Sequence, residues 1–399
     1  MKTAGIIAEY NPLHNGHLHH IQETRQAGFD RIVVVLSSQV VQRAEPAFFS
    51  KWTRAAAAIR CGADLVVELP APWAMASAER FAAGGVALMA GMGCVDALSF
   101  GSEAGDAAAL SRCAESCLEA ESGSRILELL DEGKSYAAAR EAAVAELAGE
   151  KTAALLRRPN NILGVEYLKA IRRLAPEMQA VTIPRKGPGH DSTARQGGLA
   201  SASALRELIQ FQGFGAAVPF IPPEAAALFY EDIRTRMAPA SMERLETAVL
   251  YRLRTMSLEE MRVLPSVSEG LEQRLYKLSR TPMPLSELIN RLRTRRYPLS
   301  RVRRILYEAM LGLDAAVYDQ TPPYIRVLAF NENGKNLLRK IKKSGTLPVY
   351  HSFARLERDY PHLAAIELLA TDLFRYACPA LGNAHSEYQD RRPYAVVDR

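Results

Sequence analysis

The sequence predicts an α/β chain with a doubly wound parallel sheet over residues 1–218 and a mainly helical, basic domain over residues 219–399. Three observations predict it. Short apolar runs rich in β-branched residues alternate with helical patterns through about the first 215 residues. After Pro219-Phe220-Ile221-Pro222-Pro223 the pattern becomes almost wholly helical. The charge divides at the same region: residues 1–200 carry 21 Lys and Arg against 22 Asp and Glu, and residues 201–399 carry 29 against 22.

Each element has a local reason. Ala4-Gly5-Ile6-Ile7-Ala8 is an apolar first strand, and Leu18 to Gln26 reads as the first helix. Arg31 to Leu36 is a continuous β-branched run, as expected of a strand buried on both faces. Phe49 to Arg60 reads as helix, and Asp64 to Leu69 as a buried strand stopped by Pro70. Ser77 to Ala90 is helical and Ala97 to Phe100 is a short strand. An Ala/Glu-rich helical region runs from Ala104 to Leu156. Asn160 to Leu174 is a helix, Met178 to Ile183 a strand, and Ser201 to Phe211 a helix capped by Ser201 or Ser203. Repeated β-α-β units with short apolar strands wind a Rossmann-like sheet, which binds ligands at the carboxyl ends of its strands. Beyond it, Glu224 to about Met310 is helical with Arg-rich faces. Then come a strand (Ile325 to Phe330), a turn (Asn331 to Gly334), a helix (Lys335 to Lys343) and a strand (Pro348 to Tyr350). A last helix, His362 to Tyr376, precedes a polar, loose tail from Tyr388 to Arg399.

Composition excludes several classes. No run of about 18 apolar residues is present, so no membrane span is expected. The N-terminus enters a strand directly, without signal-peptide anatomy. Five cysteines without close pairing fit a reducing, cytoplasmic setting. Cys113 and Cys117 read as helix residues rather than half of a zinc site, and no metal-ligating set is expected.

The most informative motif is His14-Asn15-Gly16-His17, where the first strand hands over to the first helix. A helix start has unpaired N–H groups and the positive end of the helix dipole, an anion site. Imidazoles there can donate to a phosphate, and Gly16 permits close backbone approach. The pattern points to a nucleoside triphosphate and to attack on its α-phosphate, with His14 and His17 stabilising the charge. By itself His-x-x-His is as readily two surface histidines at a turn. No P-loop and no proper G-x-G-x-x-G is present. Phe100-Gly101-Ser102-Glu103 ends a strand at the expected nucleotide mouth, and fits a plain helix cap equally well. Ser201, Ser203 and Arg206 open a late helix and suit β- and γ-phosphates, or an ordinary N-cap. Arg185-Lys186 precedes Gly187-Pro188-Gly189-His190, a loop suited to closing over phosphates or to carrying solvated charge.

Together these elements resemble the nucleotidylyltransferase superfamily. A narrower resemblance is to the tRNA(Met) cytidine acetate ligases. It rests on Gly5 to Leu18, Val41-Gln42-Arg43-Ala44-Glu45-Pro46-Ala47, Gly62 to Pro70, Phe100 to Glu103, Pro159 to Leu168 and Ser201 to Arg206, in that order. The resemblance implies that acetate and ATP form acetyl-adenylate and pyrophosphate. The acetyl group then passes to the exocyclic amine of the wobble cytidine of elongator tRNA(Met). The ATP contacts would carry over onto Ile7, Ala8, Glu9, Tyr10, Asn11, Pro12, Leu13, His14, Asn15, Gly16, His17, Leu18, His19 and His20, and onto Gly101, Asn161 and Arg185. Asn160 is the neighbouring candidate, and Mg²⁺ would accompany the nucleotide. The chain departs from the family at Ser37-Ser38-Gln39-Val40, where Ser-Gly-Asn-Phe is common, and at Ala44, often Gly. Losing two glycines restricts backbone φ near the expected acetate site.

The second half would hold the tRNA. Arg291, Arg293, Arg295, Arg296, Arg301, Arg303 and Arg304 are seven arginines in fourteen residues with no acidic residue among them. Lys335, Arg339, Lys340, Lys342 and Lys343 form a second cluster. Both suit phosphate contacts, and Tyr297 suits stacking on an unpaired base. A solvated helix face is the plainer alternative. Two rival functions share these features: a small-molecule nucleotidylyltransferase, and an RNA-binding protein with a regulatory nucleotide site.

Overall fold

β-Branched and apolar runs become strands where the alternation predicts them. The computed structural model describes residues 1–185, 198–268, 270–384, 386–389 and 394–395. Its strands are β1 (Thr3–Ala8), β2 (Arg31–Ser37), β3 (Leu65–Leu69), β4 (Ala97–Ser102), β5 (Gln179–Pro184), β6 (Ile325–Phe330), β7 (Val349–Tyr350) and β8 (Tyr394–Ala395). They form one sheet in the order β5-β4-β1-β2-β3-β6-β7, with β8 also on β6. β1 to β5 pair in parallel, with Ile6 opposite Val34, Val35 opposite Val67 and Phe100 opposite Thr182. The chain winds outward from β1 through β2 to β3, then returns to place β4 on the other side of β1. That reversal opens a crevice at the carboxyl ends of β1 and β4.

The sheet crosses residue 218. β6, from the helical second half, lies antiparallel beside β3, so the sheet is mostly parallel rather than wholly so. β2 shows how the layers form: Val33 and Val35 pack on one face, and Ile32, Val34 and Leu36 on the other. The first layer includes Phe81 and Met89 of the Ala78–Met92 helix and Val165 of the Pro159–Leu174 helix. It continues without a break into Leu253, Leu306 and Phe374 of the second half. The opposite layer holds Ile21 of α1 (Asn15–Gln26), Ala55 and Ala58 of α2 (Lys51–Arg60), and Leu205 and Phe229.

One local reading gains detail and two need correction. The region from Ala104 to Leu156 is several helices, because Gly123 ends the first and Gly133 (φ 87°) and Gly149 (φ 82°) turn the chain. Asn331 to Gly334 is not a free turn: Asn331 caps the Glu332–Ser344 helix by accepting from the Gly334 N–H. The tail is partly fastened, with Tyr388 against the core and β8 on β6.

Charge scattered along the sequence converges in the interior. Lys51 Nζ stands 2.6 Å from Glu68 and 2.5 Å from Glu387, and Arg326 pairs with the same two carboxylates at 3.1 and 2.5 Å. All four side chains are almost fully buried. Burial pushes the Glu387 carboxyl up, but Arg326 and Lys51 outweigh it and hold the group at about 2. Nearby Glu367 is pushed up to about 8 by burial and by Glu68. It accepts from the Ser38 hydroxyl at 2.8 Å and the Ala71 N–H at 2.5 Å.

Candidate active site

The residues between β1 and α1 are built to present two imidazoles. His14 is the N-cap of α1, and its Nδ1 accepts the Gly16 N–H at 3.1 Å. His17, three residues on, returns its Nδ1 to the His14 N–H at 3.3 Å. A Cβ at Gly16 would stand 3.0 Å from the His14 ring, so glycine makes room for the imidazole to fold back. An Nδ1 that accepts a backbone N–H carries no proton, so each neutral ring holds its proton on Nε2. The rings stack with centroids 3.8 Å apart, and Tyr10 meets His17 edge-on at 5.0 Å.

These side chains line a cleft of about 350 Å³ at the carboxyl ends of β1, β2 and β4. Ile7, Ala8, Glu9, Tyr10, Asn11, His14, His17, His20, Gly101, Asn160, Arg185 and Ser201 all face it. A smaller adjoining cavity adds Gly16 and His19. Other expected contacts take supporting places. Leu13 is fully buried in the core, Pro12 is buried and Leu18 packs against the layer under α1. Asn15 donates to the carbonyls of Gly198 and Pro219, each at 3.1 Å. Arg206 donates to the Asn11 carbonyl at 2.8 Å, bracing the loop after β1. Ser201 caps the Ala202–Gln212 helix and bonds Ser203 at 3.0 Å. The two asparagines divide their work: Asn160 faces the cleft and donates to Glu103 at 2.7 Å, whereas buried Asn161 accepts the Ala104 N–H. Lys186 and the loop from Gly187 to His190 lie outside the described residues.

Electrostatics separate the histidines. His20 is partly buried, and its desolvation together with the Arg185 guanidinium lowers its pKa to about 4. It is therefore neutral at pH 7, with Nε2 at 3.0 Å from the Ser99 hydroxyl. Arg185 lies over Gly101, where a Cβ would stand 3.3 Å from its side chain. Sequence reasoning missed Arg54. This fully buried guanidinium donates to the carbonyls of Phe49, Glu9 and Ser38, tying the ends of β1 and β2 together. Arginine at that point in an alanine-rich helix was its sole signal.

The arginine-rich stretch does not present all its charge to solvent. Arg293, Arg295 and Arg296 are exposed, and exposed Arg291 pairs with Glu287 at 2.5 Å. Arg301 donates to Ser266 and Ser268. Arg303 pairs with Glu45, and Arg304 donates to the carbonyls of Met75, Ala76 and Gln42. Tyr297 is buried beneath Arg301 with its hydroxyl on the Ser268 carbonyl, so its ring is not offered to a base. Lys340 and Lys343 are exposed on the Glu332–Ser344 helix, which lies at the amino ends of the strands, opposite the cleft. Asn331 at its start bonds Asp64, and the N–H of Thr346 beyond its end bonds Gly91.

Residues 1–390 match the family HIGH Nucleotidyl Transferase. A tRNA(Met) cytidine acetate ligase of Thermoanaerobacter sp. (strain X514) is 37% identical over 385 residues, covering 94% of this chain and 96% of the relative. The chain belongs to the tRNA(Met) cytidine acetate ligase family. A ligase of that name from Syntrophotalea carbinolica is 39% identical over 370 residues, covering 89% of this chain and 86% of its own. The fold agrees over the whole length of both chains with crystal structures of TmcAL from Thermotoga maritima. The apo form matches with a TM-score of 0.93 at 27% identity, and the form bound with alpha-thio ATP with 0.92 at 26%. Among the described residues no helix is long and apolar enough to cross a membrane.

Proposed function

We propose that this protein is an ATP-dependent ligase. It activates acetate as acetyl-adenylate and transfers the acetyl group to the exocyclic amine of the wobble cytidine of elongator tRNA(Met). The observation that carries this reading is the paired histidine start of α1. Both Nδ1 atoms accept backbone N–H groups, so each ring carries its proton on Nε2, and both side chains line the cleft. Neutral donors fixed by the helix start need no reorganisation when charge builds on the α-phosphate.

The chemistry needs no enzyme nucleophile. A carboxylate oxygen of acetate attacks the α-phosphorus, the bond to the β-phosphate oxygen breaks, and pyrophosphate leaves with the electron pair. The cytidine amine then attacks the acyl carbon, and AMP leaves as the amine gives up a proton. The protein positions the reactants and stabilises charge. His14 and His17 donate to the α-phosphate, Arg185 balances the phosphates, and Ser201 at its helix start binds the far end of the triphosphate. Among the described residues no group of three or more His, Cys, Asp or Glu side chains forms a metal site. Mg²⁺ would instead be held through the phosphates and would neutralise their charge. Exposed Arg293, Arg295 and Arg296 would contact the tRNA backbone. The five free thiols support work in a reducing cytoplasm.

The test is product analysis. Full-length protein is incubated with ATP, acetate, Mg²⁺ and unmodified elongator tRNA(Met), and the tRNA is digested to nucleosides. N4-acetylcytidine that requires both ATP and acetate is the expected product; its absence with active protein would refute the reading.

A further inference from the structure

One wall of the cleft carries none of the proposed nucleotide contacts. The smaller cavity shares His14, His17, His20, Gly101, Arg185 and Ser201 with the larger one. The larger one alone continues past the end of β2 to Gln42, Arg43, Ala78 and Phe81. Two arginines line it among the described residues, Arg185 and Arg43. Arg185 follows β5 and lies at the shared end. Arg43 follows β2, on the other side of β1 in the strand order.

The loop that carries Arg43 is tightly built. Val40 and Pro46 form a bridge across it, the Ala44 N–H donates to the Val41 carbonyl at 2.8 Å, and the Val41 N–H to that of Glu45 at 3.0 Å. Closing so short a loop sets Ala44 at φ 53°, a conformation that glycine takes more easily, with its methyl fully buried. Such strain persists only where the surroundings impose it, and it collects at functional sites. Here three outside side chains impose it. Glu9 accepts the Gln42 N–H at 2.9 Å, Arg304 donates to the Gln42 carbonyl at 3.4 Å, and Arg303 pairs with Glu45.

We propose that Arg43, with Gln42 beside it, is the carboxylate site of the acyl substrate. That substrate is a short monocarboxylate whose charged end Arg43 holds and whose methyl faces Ala78 and Phe81. The proposal rests on the ligase reading. In-line displacement requires the attacking oxygen opposite the leaving pyrophosphate, so the acid enters from the side away from the phosphate-holding groups. While one carboxylate oxygen attacks the α-phosphorus, Arg43 holds the other. Its charge lets an anion approach the triphosphate, and it makes the hydrogen bonds a planar guanidinium makes best.

The experiment is ATP–pyrophosphate exchange by full-length wild type, Arg43→Ala and Arg43→Lys, titrated in acetate and, separately, in ATP. Arg43→Ala should raise half-saturating acetate about ten- to a hundredfold and leave half-saturating ATP nearly unchanged. Arg43→Lys should recover part of the loss. A merely structural role would move both titrations together, and that result overturns the proposal. So does an unshifted acetate titration, or a defect confined to acetyl transfer onto tRNA, which would give Arg43 to the RNA. Wild type that exchanges without need of acetate overturns the ligase reading and this site with it.

Discussion

Replacing His17 by Asn separates the two jobs of that side chain. The Asn Oδ1 takes the place of the imidazole Nδ1, so the bond from the His14 N–H, 3.3 Å in the native protein, can persist. What disappears is Nε2–H, the donor to the phosphate. Losing one preorganised donor to developing charge typically costs ~10²–10³-fold in rate. The cap is worth about 1 kcal/mol at most, since 3.3 Å is a long hydrogen bond. His17→Asn should therefore melt within roughly 2 °C of wild type while its acetate-dependent exchange falls ~10²–10³-fold. His17→Ala removes acceptor and donor together and should show both losses. The assays are thermal unfolding and ATP–pyrophosphate exchange on the same preparations. Full exchange by a stably folded His17→Asn protein would refute the donor role.

The buried charges give pH signatures of opposite sign. Glu387 is held at about 2 against an ordinary 4.5, so its stabilisation is complete above about 4.5 and lost as pH falls toward 2. Glu387→Gln should cost about 3–5 kcal/mol near neutral pH, because Lys51 and Arg326 lose a partner; denaturant titration of the variant measures it, and a cost near zero would show the cluster to be slack. Glu367, pushed up to about 8, binds its proton more tightly in the folded state, so its contribution is complete below about 4.5 and lost as pH rises toward 8. Glu367→Gln should flatten that decline, and unfolding series at pH 5 and pH 8 would expose any failure to do so. For the tRNA contact, replacing Arg293, Arg295 and Arg296 together should weaken binding and reduce its salt slope by about 2–3, with little change in exchange. An unaltered slope in filter binding would remove that face from the interface.

What the sequence made legible was local. β2 is unbroken Ile, Val and Leu from Ile32 to Leu36, and β3 is Leu and Val apart from Glu68; such runs are strands wherever a sheet is covered on both faces. The histidine pair was legible because its chemistry depends on a strand-to-helix junction that the flanking residues announce. Long-range pairing was not legible. Nothing near Ile325 signals that β6 will lie antiparallel to β3, and nothing near Lys51 names Glu387 as its partner 336 positions later. The arginine run shows the same limit. Charge is visible in a sequence, but Arg304 spends its donors on carbonyls of two loops from the first half. Ala44 lies between the cases: the glycine missing there against the family pattern flagged a restricted backbone, and its φ of 53° is that restriction.

The central claim is that acetate is activated by ATP before any RNA is engaged. The most direct measurement is ATP–pyrophosphate exchange by the purified full-length protein with Mg²⁺, with and without acetate, in the absence of tRNA. Exchange that depends on acetate is the predicted result. Exchange that ignores acetate and follows a phosphorylated small molecule instead would contradict it, and would make the protein a nucleotidylyltransferase of another kind.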